Sequence, residues 1–196
     1  RLYGYNRDTT PLLNELKNEL TIFNNAFSNH VVTIFALQMA LTEANQLNKK
    51  DFYTSLSIVN TLKTAGFETH WISNQPKLGK YSSAVSVIAN SADNTLFINK
   101  TILSTAIDKY DGDILNHVRK IISLKTDKNR VVFVHLMGSH TMYKLRFPPE
   151  YKKFSGTVDG VSSYVNGFVN SYDNSVLYND YVVSEIIKMT KKQDGV

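Results

Sequence analysis

From Thr33 onward the apolar positions Ile34, Leu37, Leu41 and Ala44 recur at the spacing of an amphipathic helix with one buried face. Just upstream the period is different. Thr21 to Phe27 reads as a strand running out into the polar loop Ser28-Asn29-His30. Thr33 therefore stands where a strand-loop unit becomes a helix. The first N–H groups of a helix lack partners within it, and the macrodipole adds partial positive charge there. A hydroxyl at that point either caps the helix or faces a bound anion such as a phosphate, and in the second case it is a candidate nucleophile. The pattern alone leaves both readings open.

The rest of the chain alternates between the two periods. Arg1 to Thr10 is polar and turn-rich. Thr9 or Thr10 is a natural cap for a helix that opens at Pro11, with Leu12, Leu13, Leu16 and Leu20 as its stripe. Leu47 to Tyr53 is a polar connection. Leu56 to Thr64 predicts a helix stopped by Gly66, and Phe67 to Ser73 a short strand buried on both faces. The strand ends in Ser73-Asn74-Gln75-Pro76, a polar loop at the end where open α/β sheets bind ligands. Ser82 to Asn90 predicts a helix, Thr95 to Ile98 a strand and Asp111 to Leu124 a helix. Arg130 to Met137 is continuously apolar enough for a central parallel strand. A long loop runs from there to about Tyr164. A final helix spans about Val165 to Thr190, with Val169, Tyr172, Val176, Val183 and Ile187 as its stripe, interrupted at Asp180. The fold class is α/β, a mostly parallel sheet sandwiched by helices.

Composition narrows the classes. With 42% hydrophobic and 20% charged residues over 196 positions, the chain can bury one sizeable core and is not a disordered tract. No apolar run approaches the roughly 20 residues that span a bilayer. A net charge of +5 permits anionic partners, but no basic arm, zinc-finger spacing or RNA-binding motif accompanies it, so nucleic acid is not an expected partner. Cysteine is absent, which excludes disulfides and thiolate metal sites. The chain opens at Arg1 without an initiator methionine, as a segment of something longer would.

Histidines are the remaining candidates for chemistry. His140 follows the strand Val131 to Met137 in Gly138-Ser139-His140, a position that suits a site or a surface loop equally. His30 lies three residues before Thr33 and is a candidate supporting group. His135 and His70 fall inside strands and read as packed, and His117 reads as solvated. No HExxH pattern is present.

Six segments occur in a telling order: NRDTTP from Asn6, FNNAFSNHVVTIFALQMALT from Phe23, WISNQ from Trp71, VHLMGSH from Val134, RFPPEYKKF from Arg146 and YDNSVLYNDY from Tyr172. Together they resemble the phosphoethanolamine transferases of the Gram-negative envelope, sulfatase-like members of the alkaline phosphatase superfamily. The resemblance runs nearly the whole length and is weakest from Ser82 to Asp127. It implies part of a single periplasmic catalytic domain, incomplete at both ends, hung from an inner-membrane helical bundle. It implies zinc, phosphatidylethanolamine as donor, and lipid A or lipopolysaccharide core as acceptor. By this resemblance Thr33 is the nucleophile that becomes phosphoethanolaminylated and a zinc ligand, and His140 contacts the phosphate or a second metal. Asn74, Gln75 and Lys80 fall near the substrate-contacting loop. Thr141-Met142 stands where the family's loop usually continues with Gly-Pro or Pro-Pro.

The family's Gly-Glu and Ser-Asp-His-Gly ligand motifs fall outside these residues, before Arg1 and after the last helix. Thr33 is the one main zinc ligand expected here. The segment alone is therefore expected to hold no tight zinc, to be inactive, and to show an open or self-paired sheet edge. Asp173 and Asp180 share a helix face but belong, on the resemblance, to a structural helix. Thr33 and His140 are expected to open onto one face with the Ser73 to Gln75 loop at its rim. The alternatives are a related phosphoglycerol transferase, a sulfatase-like hydrolase, or a non-catalytic fragment. A sulfatase of the usual kind needs a Cys or Ser converted to formylglycine, and the chain has no Cys.

Overall fold

The computed structural model describes residues 3–77, 83–99 and 109–192. The chain forms two compact units. One comprises Asn25–Ala106 and Leu124–His135; the other comprises Arg1–Asn24, Ile107–Ser123 and Leu136–Val196.

The first unit holds the sheet. Strand β1 (Glu68–Ser73) lies between β2 (Asn94–Phe97) and β3 (Arg130–His135), and all pairings are parallel. Every residue of β1 after Glu68 is buried, as a strand covered on both faces requires. The expectation that Arg130 to Met137 is the central strand is corrected. Among the described residues β1 is central, while β3 lies at an edge and is only half-buried along its length. An apolar run marks a strand but does not say which neighbours it has.

Helices α2 (Thr33–Leu41), α3 (Ile58–Thr64) and α4 (Ser83–Asn90) belong to this unit. Its core is Val59, Trp71, Val85, Ile88, Ala89 and Ala92, with Ile34, Leu37 and Leu41 packed against it, so the predicted stripe of α2 does face inward. The helix stops at Leu41, before Ala44, because the Thr42 hydroxyl donates to the Gln38 carbonyl and accepts from Ala44 N–H. Ser57 caps α3 by accepting from Asn60 N–H, and Gly66 follows at φ +88° in the left-handed region that ends helices. The strand predicted from Thr21 to Phe27 does not form. That stretch is irregular, with a turn at Asn24-Asn25, and leaves Phe23 and Phe27 exposed. A short β-like run with no partner to bond has nothing to hold it extended.

Asp93 ties β2's approach to β1. Its carboxylate accepts from the Thr69 N–H and hydroxyl, each at 2.9 Å, and pairs with Lys63 at 2.9 Å. Lys63 first, then the Thr69 bonds, hold this carboxyl well below the usual range. A depressed carboxylate stabilises the fold above its unfolded pKa, near 3.8, and that stability is lost as pH falls from there toward the folded value. Asp93→Asn should cost about 1–2 kcal/mol at pH 7, allowing for solvent screening of the half-exposed Lys63 pair. The gap to wild type in melting experiments should shrink as the pH is lowered below about 4; a gap that stays constant from pH 7 to pH 3 would contradict this role.

The second unit holds α1 (Pro11–Glu15), α5 (Leu115–Ile122) and α6 (Ser163–Lys191). Here too the sequence pattern needs correction. Thr10 takes the N-cap position of α1, as predicted, but its side chain makes no bond to the helix N–H groups. The Asp180 carboxylate from α6 supplies the acceptors instead, taking Leu12 and Leu13 N–H at 2.9 Å each. The helix gives way to a short 3-10 turn at Lys17–Glu19 instead of continuing to Leu20. The buried residues of α6 are not the predicted apolar stripe. They include Asn170, Asp173, Asn174, Ser175, Asp180 and Ser184 beside Leu177, Tyr178, Val182 and Met189, while Tyr172 is exposed. Four of these polar side chains, Asn170, Asp173, Asn174 and Asp180, replace apolar ones because they bond distant segments. Asn174 accepts from Lys153 and Phe154 N–H and donates to the Phe154 carbonyl. Asp173 meets Arg7 and Tyr5. The core proper is Leu115, Phe147, Tyr178, Val182 and Met189. Among the described residues no helix is long and apolar enough to cross a membrane.

Candidate functional site

Thr33 occupies the first position of α2, as the change of period predicts, and is exposed. Val32 precedes it and makes no side-chain cap, since valine has no acceptor to offer. Thr33 therefore stands on the helix and does not cap it, which removes the bland reading of its hydroxyl. An exposed hydroxyl beside uncapped first-turn N–H groups at the positive end of a nine-residue helix suits an anionic substrate.

The loop before it is ordered by its own side chains. The Ser28 hydroxyl donates to the His30 carbonyl at 2.6 Å, and His30 Nδ1 accepts from Val32 N–H at 3.0 Å. The His30 ring also meets Phe35 edge to face. His30 thus shapes the entry into α2. It lines a cavity of about 260 Å³ with Phe35, Gln38, Met39, Lys50 and Phe52. At 3.6 residues per turn, Phe35, Gln38 and Met39 lie on the helix side away from Thr33.

Asn74 and Gln75 follow the C-terminal end of β1. Asn74 is buried; its N–H donates to the His135 carbonyl, and its side-chain and main-chain oxygens both accept from the Asn99 amide at 2.8 Å. Gln75 is half-exposed, with its N–H on the Ser73 hydroxyl. That hydroxyl also meets His135 Nδ1 at 3.2 Å, and His135 lies edge-on to Trp71, so His135 is packed as expected. His70 is likewise buried and pairs with Glu68 at 3.0 Å. His117 is half-buried, less solvated than the helix pattern predicts. Lys80 lies outside the described residues.

His140 belongs to the other unit. It is exposed, and its Nδ1 lies 3.1 Å from the Thr141 hydroxyl, which leaves Nε2 as its outward nitrogen. Gly138 takes φ +56° and Met142 φ +64°, so the turn carrying His140 is bounded by two left-handed residues. Asp173 and Asp180 are both engaged in holding the N-terminal segment. No group of three or more His, Cys, Asp or Glu side chains able to hold a metal occurs among the described residues. Thr33 can offer one oxygen, but the described residues do not by themselves compose a zinc site.

The sulfatase family matches residues 1–195. Phosphoethanolamine transferase EptC of Escherichia coli K12 is 37% identical over 194 residues, covering 95% of this chain and 33% of that protein. The crystal structure of the C-terminal periplasmic domain of EcEptC from Escherichia coli, in complex with Zn, superposes with a TM-score of 0.89 at 35% identity over 97% of this chain and 55% of that one. The soluble domain of lipooligosaccharide phosphoethanolamine transferase A from Neisseria meningitidis gives a TM-score of 0.79 at 25% identity, over 98% of this chain and 58% of that one. The chain spans about a third of the length of the curated relatives it matches.

Proposed function

This chain belongs to the sulfatase family, and on that premise we propose that it forms part of the catalytic domain of an envelope phosphoethanolamine transferase. The intact enzyme would sit in the inner membrane with this domain facing the periplasm. Its donor is phosphatidylethanolamine and its acceptor lipid A or lipopolysaccharide core. The observation that carries the reading is Thr33, exposed at the uncapped start of α2 in a chain whose relatives transfer phosphoethanolamine.

The chemistry follows from the groups. Thr33 Oγ1 attacks the phosphorus of the donor, forming an O–P bond as the bond to the diacylglycerol oxygen breaks. The first-turn N–H groups of α2 hold the phosphoryl oxygens, whose negative charge grows in the transition state. The Thr33 proton is lost to a base or solvent, and the diacylglycerol oxygen leaves protonated. His140 is the proposed group that neutralises oxygen charge or supplies that proton through Nε2. An acceptor hydroxyl or phosphate oxygen then takes the phosphoethanolamine and restores the Thr33 hydroxyl. Zinc enters as the expected cofactor of the intact enzyme, by analogy with the zinc-bound relative. When bound, it would lower the pKa of a coordinated hydroxyl.

Donor choice tests this reading against a phosphoglycerol transferase. With fluorescent phosphatidylethanolamine the intact enzyme should release diacylglycerol and label its acceptor, and phosphatidylglycerol should be turned over at least about tenfold more slowly. Preference for phosphatidylglycerol would overturn it.

A further inference from the structure

We propose that Asp111 and Arg146 are positioning residues for His140, gripping the turn that carries it from its two ends. The inference rests on the reading of His140 as a group that acts on the substrate. His140 is exposed, so packing does not fix it; its placement depends on the backbone beneath it and on the Thr141 hydroxyl at its Nδ1.

That backbone is held by two opposite charges. Asp111, only 2% exposed, comes from the short 3-10 turn Asp111–Ile114 that leads into α5. One of its carboxylate oxygens accepts from Met137 N–H at 2.8 Å and the other from Gly138 N–H at 2.7 Å. Two successive N–H groups converging on one carboxylate form an anion-binding nest, and the left-handed Gly138 is what lets the second turn inward. At the other end the Arg146 Nε and Nη2 donate to the Thr141 carbonyl at 3.1 and 2.8 Å, and Nε reaches the His140 carbonyl at 3.4 Å. Burial lowers the pKa of Arg146, and the Asp111 charge opposes that shift. The N–H groups before His140 and the carbonyls at and after it are thus fixed by charge-assisted bonds, the stronger kind. Gly112, next to Asp111, is anchored in turn by its N–H on the Tyr178 hydroxyl at 2.8 Å.

The consequence is specific. Asp111→Asn keeps the shape but sets an amide NH₂ against a backbone N–H, so the turn must move and carry the imidazole with it. In the intact enzyme, assayed with fluorescent phosphatidylethanolamine, this change should lower kcat by about 10- to 100-fold while KM for the donor moves less than about threefold. In a His140→Ala background the same change should lower kcat by less than about twofold, because a residue that acts only through His140 has nothing left to position. Equal losses in the two backgrounds would mean general destabilisation and would overturn the proposal while leaving the role of His140 intact. A His140→Ala enzyme as fast as wild type would instead refute the role of His140, and the grip with it. If Asp111→Asn melts below the assay temperature, Arg146→Lys enters the same cycle with the same expectation of non-additivity, since lysine cannot reproduce the two-nitrogen contact.

Discussion

Replacing Thr33 with alanine in the intact enzyme should abolish phosphoethanolamine transfer, by on the order of 10³-fold or more, with no loss of fold. The expectation rests on position. Thr33 is exposed, makes no cap and buries nothing, so its methyl and hydroxyl contribute little to stability. The core-facing residues of α2 are Ile34, Leu37 and Leu41, and the substitution leaves them untouched. Alanine also favours the helix, so the melting temperature should stay the same or rise slightly. Thr33→Ser keeps an oxygen at the helix start and should retain part of the activity, because its freer χ1 samples the attacking rotamer less often. Transfer by the alanine variant at more than a few per cent of the wild-type rate would show that the helix terminus binds the phosphate but another group attacks it.

Arg7→Ala should produce the largest loss of stability in the chain, about 3–5 kcal/mol. Asp173 is 1% exposed, and Arg7 supplies its counter-charge at 2.7 Å while Tyr5 donates to it at 3.1 Å. The same guanidinium donates to Asn170 at 2.8 Å and lies 4.4 Å over the Phe154 ring. Removing it strands a buried carboxylate and detaches the N-terminal segment from α6. Burial already raises the Asp173 pKa, and Arg7 is the main force opposing that rise. Without Arg7 the pKa climbs further. A raised carboxylate costs stability in full above its folded pKa, and the cost disappears as the pH falls toward the ordinary carboxylate value, so the variant should recover part of its loss as the pH is lowered from neutrality toward that range. Asp173→Asn added to Arg7→Ala should also restore part of it. Thermal melting checks both, and a melting temperature within about 2 °C of wild type would contradict the account.

How much was legible in the sequence depended on whether the cause was local. The start of α2 at Thr33 and the doubly buried β1 were legible, because a change of period and a run of apolar residues are written in neighbouring positions. So were the helix before Gly66, predicted over Leu56 to Thr64 and formed over Ile58–Thr64, and the packed His70 and His135. The order of the sheet was not, since an apolar run such as Arg130 to His135 looks the same at an edge or a centre. The face of α6 was misread for a different reason. Its buried polar residues bond partners up to 168 positions away, as Asp180 does with Leu12 and Asp173 with Tyr5, and no local pattern announces them. Asp180 did leave a trace as a polar break in an apolar stripe. Asp111 left none: it read as the first residue of a helix, and its bonds to Met137 and Gly138 became visible only in the fold.

The central claim is that the phosphoethanolamine passes through a covalent bond to Thr33. The most direct test is to incubate the intact enzyme with phosphatidylethanolamine without acceptor, quench it, and map the modification by peptide mass spectrometry. The account predicts phosphoethanolamine on Thr33, lost when acceptor is added. Modification at another residue, or none while transfer proceeds at its normal rate, would contradict it.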